Sequence, residues 1–153
     1  MPIPVSALPP VVNRTVFVTG ASGFIGTHLV EHLLRQGCEV RCLIRPTTPA
    51  THLLRPNLIR VSGTLTAPES YRRALAGCDT VFHLAGLVAS RHPAELMATN
   101  GHGTARLAEA CADRPNPPTL VAVSSLAAAG PPRHDRGFRD ETDSPQPVSH
   151  YGS

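Results

Sequence analysis

A glycine-rich turn near the start of the sequence lies between a short β-branched segment and an amphipathic one. Residues 15–19 read TVFVT, and residues 19–26 read TGASGFIG. Gly20 permits a tight turn out of the strand, Gly23 lets the backbone approach a phosphate, and Gly26 allows the helix to pack closely on the sheet. The start of the helix adds unpaired N–H groups and a positive dipole end. The segment therefore predicts a strand, turn and helix that bind a pyrophosphate group.

Strand-like and helix-like segments alternate along the rest of the chain. Strands are expected at 15–19, 39–44, 58–61, 80–85 and 119–124, and helices at 23–36, 68–76 and 93–113, with irregular structure from residue 127 onward. Gly37 is expected to end the first helix in the left-handed conformation. Strands separated by helices favour parallel pairing. The predicted fold is α/β, a Rossmann-type doubly wound parallel sheet of order 3-2-1-4-5 in a three-layer αβα arrangement.

Composition places the chain among ordered globular domains. With 153 residues, of which 41% are hydrophobic and 16% charged, it can bury the core of one domain. The net charge of +3 comes without a run of like charges, which argues against nucleic-acid and membrane partners. The proline-rich residues 1–14 are expected to form a flexible leader before a dinucleotide-binding domain at 15–153. Four scattered cysteines favour a reducing, cytoplasmic location.

Two pairs of side chains have the spacing of metal ligands. Cys38 and Cys42 lie four residues apart on a predicted strand, and His28 and His32 lie four residues apart on the first helix. Neither pair has an evident third ligand, so buried thiols and a solvated helix face are the favoured interpretations. No metal site is predicted, and His83 is expected to be a packed core imidazole.

Four further motifs follow the glycine-rich turn in a fixed order. They are DTVFHLAG at 79–86, TNGHGT at 99–104, VSS at 123–125 and YGS at 151–153. Together with TGASGFIG they resemble the extended short-chain dehydrogenase/reductases, the NAD(P)-dependent epimerase/dehydratase family. The resemblance runs from the turn to the last residue. It implies a domain that binds a nicotinamide dinucleotide.

The resemblance also implies which residues contact the dinucleotide and the substrate. The cofactor-binding residues are expected to be Gly20, Ala21, Ser22, Gly23, Phe24, Ile25, Gly26, Arg45, Leu84, Ala85, Gly86 and Ser124. In the family a tyrosine exchanges a proton with the substrate oxygen while hydride passes to or from the nicotinamide, and a serine bonds to the same oxygen. By position these are Tyr151 and Ser125, with Ser124 as the rival serine. Asn100 matches a structural and catalytic asparagine.

The end of the second strand bears on the choice of cofactor. NAD-binding relatives place an acidic residue there for the ribose 2′-OH, whereas this chain has Arg45 followed by Pro46, Thr47 and Thr48. A guanidinium and hydroxyls suit a 2′-phosphate. NADP is therefore the expected cofactor, with NAD as the alternative. Thr64 stands where relatives commonly place an aspartate near the adenine.

The family's lysine, which lowers the pKa of the tyrosine, would lie four residues after Tyr151 and so beyond Ser153. We therefore expect a piece of a longer enzyme, without its later strands and substrate region and inactive alone. The leading hypothesis is an NADP-dependent oxidoreductase acting on a carbonyl, alcohol or sugar-nucleotide substrate. The alternatives are a NAD-dependent nucleotide-sugar epimerase or dehydratase and a non-catalytic dinucleotide-binding module. A homodimer is a further expectation for the full-length form.

Overall fold

The computed structural model describes residues 14–132 and 137–153. Within these ranges, one parallel sheet contains β1 (Thr15–Thr19), β2 (Glu39–Ile44), β3 (Leu58–Ser62), β4 (Thr80–His83) and β5 (Thr119–Ala122). The order across the sheet is β3-β2-β1-β4-β5, which confirms the predicted order and puts β1 in the centre. The predicted leader lies outside the described residues except for Arg14.

Helices alternate with the strands along the chain. They are α1 (Phe24–Arg35), α2 (Pro93–Leu96), a π-helical segment (Met97–His102), α3 (Gly103–Ala112) and α4 (Leu126–Ala129). The α2, π-helical and α3 segments adjoin one another and together account for the long helix predicted over 93–113. Helix α4 lies at the start of the region for which irregular structure is predicted. None of the helices in the described ranges has the length and apolar content to cross a bilayer.

Two buried clusters cover the opposite faces of the sheet. Successive side chains of a strand point to opposite faces, so Val16 and Val18 join the cluster beneath α1 while Phe17 joins the other. Helix α3 and the short 3₁₀ turns before β4 cover the second face. The second cluster contains Leu43, Tyr71, Leu75, Val81 and Leu107. The arrangement is the predicted three-layer αβα sandwich.

The prediction of a helix over residues 68–76 is wrong. The chain forms two 3₁₀ turns, Pro68–Ser70 and Arg72–Leu75, separated by Tyr71 at φ −128° and ψ −11°. Tyr71 is fully buried, its ring centroid lies 6.1 Å from that of Phe17, and its hydroxyl donates to a backbone carbonyl. Burial of this ring takes the backbone out of the helical conformation. β4 and β5 also end two residues earlier than predicted, because the chain leaves the sheet there for the loops around the site.

The strands end in register at one edge of the sheet. Thr19, at the end of β1, pairs with Leu43 of β2 and with His83 of β4. His83 in turn pairs with Ala122, the last residue of β5. Because the strands are parallel, the segments that follow them emerge side by side at this carboxyl edge. The site residues predicted after β1, β2, β4 and β5 therefore meet there.

Gly37 ends α1 as the sequence predicts. Its φ is +77°, and its N–H donates to the carbonyl of Leu34 at 3.0 Å. The next amide, that of Cys38, donates to the carbonyl of Leu33 at 3.1 Å. This pair of bonds is a Schellman motif, which requires the left-handed conformation at Gly37 and turns the chain into β2.

We expect Gly37→Ala to lower the free energy of unfolding by about 1 kcal/mol, because a Cβ disfavours the left-handed conformation. Urea unfolding followed by circular dichroism would measure the loss. Gln36→Ala is the matched control: Gln36 lies one residue earlier at φ −81°, which any residue adopts, and this variant should stay within about 0.5 kcal/mol of the wild type. Equal stability of the two variants would contradict the cap.

Candidate active site

The glycine-rich turn packs directly against the exit of β4. Gly20 has φ +73°, and the N–H of Gly23 donates to its carbonyl at 3.0 Å, which closes the turn. A Cβ built on Gly20 would lie 2.7 Å from the amide nitrogen of Ala85 and 2.7 Å from the carbonyl carbon of Leu84. Only glycine fits at this position, for reasons of both conformation and space.

Gly26 lets the first turn of α1 lie against the same loop. A Cβ on Gly26 would overlap the carbonyl oxygen of Gly20 and would lie 2.7 Å from the Cα of Ala21. The close approach predicted for this glycine therefore involves the turn itself rather than the body of a strand. Gly23 is less restricted, since its Cβ would lie 3.3 Å from the carbonyl oxygen of Gly20.

The N-terminus of α1 is open. Gly23 is the N-cap, no side chain caps it, and the first turn of the helix carries no acidic residue. The hydroxyl of Thr27 donates to the carbonyl of Gly23 at 2.9 Å. This side chain therefore does not cap the N–H groups of the first turn. Phe24 and Ile25 are exposed beside them. This end of the helix can bind an anionic phosphate through backbone N–H groups and the helix dipole.

A cavity of about 560 Å³ lies at the carboxyl edge beside the turn. It gathers predicted site residues from five separate segments of the sequence. Those that line it are Ile25, Leu84, Ala85, Gly86, Asn100, Ser124, Ser125 and Tyr151. The glycines of the turn and Arg45 do not line it. The cavity therefore joins the predicted catalytic residues to the loop after β4 and to Ile25 of the turn, while the glycines of the turn and Arg45 lie outside it.

Ser125 is the N-cap of α4. Its backbone is extended, and its Oγ accepts the N–H of Ala127 at 3.2 Å. This is the capping role that a strand-end serine takes in the absence of any chemistry. The capping bond uses the oxygen as an acceptor, so the hydroxyl hydrogen can still be donated to another group. Ser124, the rival serine, is exposed, whereas Ser125 is half-buried.

Tyr151 is held near Ser125 by its neighbour in the chain. Gly152 is buried, and its N–H donates to the carbonyl of Ser149 at 3.0 Å. A Cβ on Gly152 would lie 2.9 Å from the carbonyl carbon of Ala127 in α4. The backbone at Gly152 thus rests on the short helix that Ser125 caps, and half-buried Tyr151 lines the cavity with Ser125.

Asn100 lies in the π-helical segment and binds the loop after β4. Its Oδ1 accepts the N–H of Leu87 at 2.8 Å, and its Nδ2 donates to the carbonyl of Leu87 at 2.8 Å. A Cβ on Gly86 would lie 3.3 Å from that Oδ1. The amide of Asn100 therefore fixes the loop that forms one wall of the cavity, and π-helical turns occur often at functional sites.

His83 is buried, as predicted, but it is more than core packing. Only 4% of the residue is exposed, its Nδ1 lies 2.7 Å from the hydroxyl of Thr19, and its Nε2 lies 2.7 Å from the hydroxyl of Thr104. Burial lowers the pKa of this imidazole below its ordinary value. Neither bond is evident from the sequence pattern, because the pairing of Thr19 with His83 depends on the register of β1 and β4.

Arg45 follows β2 at the carboxyl edge, as its predicted role requires. It is exposed and opens a turn in which the N–H of Thr48 donates to its carbonyl at 2.9 Å. No hydrogen bond or ion pair of its guanidinium occurs among the described residues. Thr64, which replaces the expected aspartate, is engaged locally: its N–H donates to the hydroxyl of Ser70 and its own hydroxyl lies 3.2 Å from that of Thr66.

The two pairs of side chains with the spacing of metal ligands lie in different environments in the structure. Cys38 and Cys42 are buried, and burial raises the pKa of the Cys42 thiol to about 12, so it is protonated at neutral pH. The ring of His28 lies edge-on to that of Phe24 with centroids 5.0 Å apart. In the described part of the chain, no three His, Cys, Asp or Glu residues gather as metal ligands would.

Comparison with known proteins identifies related sequences and structures. The profile of the NAD dependent epimerase/dehydratase family matches residues 16–153. Dihydroflavonol 4-reductase of Arabidopsis thaliana is 35% identical over 142 residues, which are 86% of this chain and 37% of the relative. Ceramide reductase of Caulobacter vibrioides is 36% identical over 118 residues, 76% of this chain and 36% of the relative.

Among solved structures, the fold is similar to that of Thermus thermophilus UDP-glucose 4-epimerase in complex with NAD. The TM-score is 0.77 at 29% identity, and the match covers 90% of this chain and 46% of the epimerase. The chain thus spans less than half of the length of each of these three proteins.

The stability of the chain should depend on pH through His83. Because burial lowers its pKa, the folded chain binds a proton here less readily than the unfolded chain does. The free energy of unfolding is therefore expected to fall as the pH drops below about 6.5, until the folded ring itself is protonated. Urea unfolding at several values between about pH 7.5 and about pH 5.5 would measure this slope.

Two variants distinguish the contribution of His83 to this pH dependence from that of the other histidines. His83→Gln should flatten the slope, because the titrating group is lost. His150→Gln, which removes an exposed imidazole from the lining of the same cavity, should leave the slope unchanged. A wild-type slope in His83→Gln would show that other groups cause the pH dependence.

Proposed function

The chain belongs to the NAD-dependent epimerase/dehydratase family, and we propose that it binds NADP(H) and supports hydride transfer to or from a carbonyl or alcohol substrate. One observation carries the proposal. Two serines, a tyrosine and the loop after β4 line one cavity, and that cavity lies beside a glycine-rich turn at the carboxyl edge of a parallel sheet. Ligands of open α/β sheets bind at this edge.

The chain's own residues divide the binding of the dinucleotide among them. We infer that the turn from Gly20 to Gly26 holds the pyrophosphate, because the space at Gly20 and the open N-terminus of α1 fit that group. Leu84, Ala85 and Gly86 line the path towards Ser124. Arg45 is assigned to the 2′-phosphate, since its guanidinium is exposed at the same edge. When bound, the nicotinamide would supply or accept the hydride.

The reacting oxygen is assigned to Tyr151 and Ser125. In the direction of reduction, the phenol of Tyr151 would donate its proton to the carbonyl oxygen, and the hydroxyl of Ser125 would donate a hydrogen bond to the same oxygen. The capping bond from Ala127 leaves the Ser125 hydrogen available for this purpose. Asn100 bonds to the backbone of Leu87 and so positions the wall of the cavity that it also lines.

The walls of the cavity favour a reductase over a nucleotide-sugar enzyme. Val88, Met97 and Val123 line it and are 76%, 48% and 55% exposed, which gives a bound molecule an apolar surface to cover. No Arg, Asp or Glu of the described ranges lines the cavity. An apolar carbonyl compound is therefore the preferred substrate class, in line with the reductases among the relatives.

A NAD-dependent epimerase or dehydratase is the second candidate. It is favoured by the similarity to the NAD complex of the Thermus thermophilus epimerase. Both reactions would use the same tyrosine and serine, so the nature of the cofactor and of the ligand discriminates between them. A cytoplasmic location remains part of the proposal and is supported by the free thiols of Cys42, Cys78 and Cys111, which are all buried. A homodimer stays a prediction.

The first test is the choice of cofactor. Titrated into the chain, NADPH should bind about tenfold or more tightly than NADH, because a charge-assisted hydrogen bond from Arg45 to the 2′-phosphate contributes about 1.5 to 3 kcal/mol. Arg45→Asp should erase or reverse this preference. The measurement is the fluorescence of the bound reduced nicotinamide.

Arg55→Asp is the matched control for this test. Arg55 is also exposed, but it precedes β3 and so lies at the opposite edge of the sheet. The change in net charge is identical, and the preference for NADPH should persist. Equal affinities for the two cofactors, unchanged by Arg45→Asp, would favour the NAD-dependent alternative. No binding of either would reject the proposed cofactor site.

The second test concerns the reacting oxygen. With NADP⁺ present, an aromatic ketone such as acetophenone should bind in the cavity and be detected by saturation-transfer NMR. Tyr151→Phe and Ser125→Ala should each weaken this binding by about 2- to 10-fold, the effect of one lost hydrogen bond. Tyr71→Phe removes a buried hydroxyl elsewhere and should leave the affinity unchanged. UDP-glucose binding in place of the ketone would favour the epimerase alternative.

A further inference from the structure

We propose that His83 is a positioning residue that couples the glycine-rich turn to the substrate side of the cavity through a neutral imidazole with its hydrogen on Nε2. The proposal rests on the proposed function, because it assigns the cofactor to one end of this connection and the carbonyl ligand to the other. His83 lies between the two ends in β4 and contacts a hydroxyl on each side.

The bonds around Thr19 favour one tautomer of His83. The N–H of Ala85 donates to Thr19 Oγ1 at 3.3 Å, so this oxygen already acts as an acceptor. We assign its own hydrogen to Nδ1 of His83, which lies 2.7 Å away. An unprotonated Nδ1 requires the ring hydrogen on Nε2, which donates to Thr104 Oγ1 at 2.7 Å. A buried and doubly bonded ring is thereby held in one orientation.

On the cofactor side, the connection ends at the turn. Thr19 directly precedes Gly20, whose missing Cβ lets the backbone touch Leu84 and Ala85. The carbonyl of Thr19 also accepts the N–H of Leu84 at 3.2 Å. The position of the Thr19 hydroxyl therefore sets how the turn lies against the loop after β4.

On the substrate side, the connection ends at the cavity wall. Thr104 follows Asn100 by four residues, and both line the cavity, so they share one face of the helical segment. Asn100 bonds to both polar atoms of the Leu87 backbone. The bond from His83 to Thr104 therefore fixes the position of the helical segment. That segment, through Asn100, in turn positions the loop after β4 that forms the cavity wall.

Asparagine and glutamine at position 83 separate the two bonds. The side-chain amide of Asn reaches about as far as Nδ1 of histidine, and that of Gln about as far as Nε2. His83→Asn should keep the bond to Thr19 and lose that to Thr104. His83→Gln should keep the bond to Thr104 and lose that to Thr19. Each variant removes one bond, so a merely structural role predicts the same effect for both.

Amide hydrogen exchange in the ligand-free chain reports on both ends of this connection, through the amides of Ala85 and Leu87. In His83→Asn the amide of Leu87 should exchange about 2- to 10-fold faster while that of Ala85 is unchanged, and in His83→Gln the pattern should reverse. Thr104→Val removes the same bond as His83→Asn from the other partner and should reproduce its pattern. Thr104→Ser, which keeps the hydroxyl, should restore the exchange rates of the wild type.

Ligand binding provides the functional readout. His83→Gln should weaken the binding of NADPH by about 2- to 10-fold. His83→Asn should leave the affinity for NADPH unchanged and should weaken the binding of acetophenone, measured in the presence of NADP⁺, by a similar factor. Equal effects of both variants on both ligands and both amides, or no effect of either, would overturn the proposal. If the wild type binds neither ligand, the proposed function fails, and the exchange pattern alone still decides whether His83 couples the two sides.

Discussion

The contact between the backbone of Gly20 and the backbone of Leu84 and Ala85 is the constraint on which the site depends. There is no room for a Cβ between them, and the left-handed conformation of Gly20 turns the chain away as soon as the two segments touch. The exits of β1 and β4 are thereby kept within hydrogen-bond reach of each other. Thr19 can then bond to Ala85 and His83 at once, and α1 can start beside the loop that lines the cavity. A larger residue at position 20 would separate the turn, to which we assign the pyrophosphate, from the rest of the site.

The order of the strands explains why a cavity opens beside this contact. β1 and β4 are neighbours in the sheet, but the chain leaves them towards opposite faces: α1 covers one face, and the helical segment that ends in α3 covers the other. Two connections that diverge from adjacent parallel strands leave a crevice between them at the carboxyl edge. The loops after β4 and β5 supply the walls of this crevice, so its polar residues come from segments that are distant in sequence.

Much of this architecture could be predicted from the sequence, because it depends on local patterns. The glycine spacing, the β-branched strands and Gly37 each follow from the chemistry of a few adjacent residues. The split of the predicted helix at Tyr71 could not be predicted, since it results from packing against Phe17 in another strand. The same holds for His83, whose partners Thr19 and Thr104 are set by strand register and by the position of a helix on the sheet. Periodicity says nothing about contacts that only the assembled fold creates.

The two halves of the site differ in how firmly the fold holds them. His83 lies in β4 and the turn begins directly after Thr19 of β1, and both residues are buried and paired in the central strands of the sheet. Tyr151 lies instead after α4, where the described residues form neither a strand nor a long helix and are tied to α4 by single backbone bonds such as that from Gln146 to Ala129. The guanidinium of Arg139 adds bonds to Pro131 and Ser144 within that segment. Local opening should therefore be easier around Tyr151 than around Gly20. We therefore expect the turn to keep its conformation without a ligand and a bound ligand to order the segment around Tyr151.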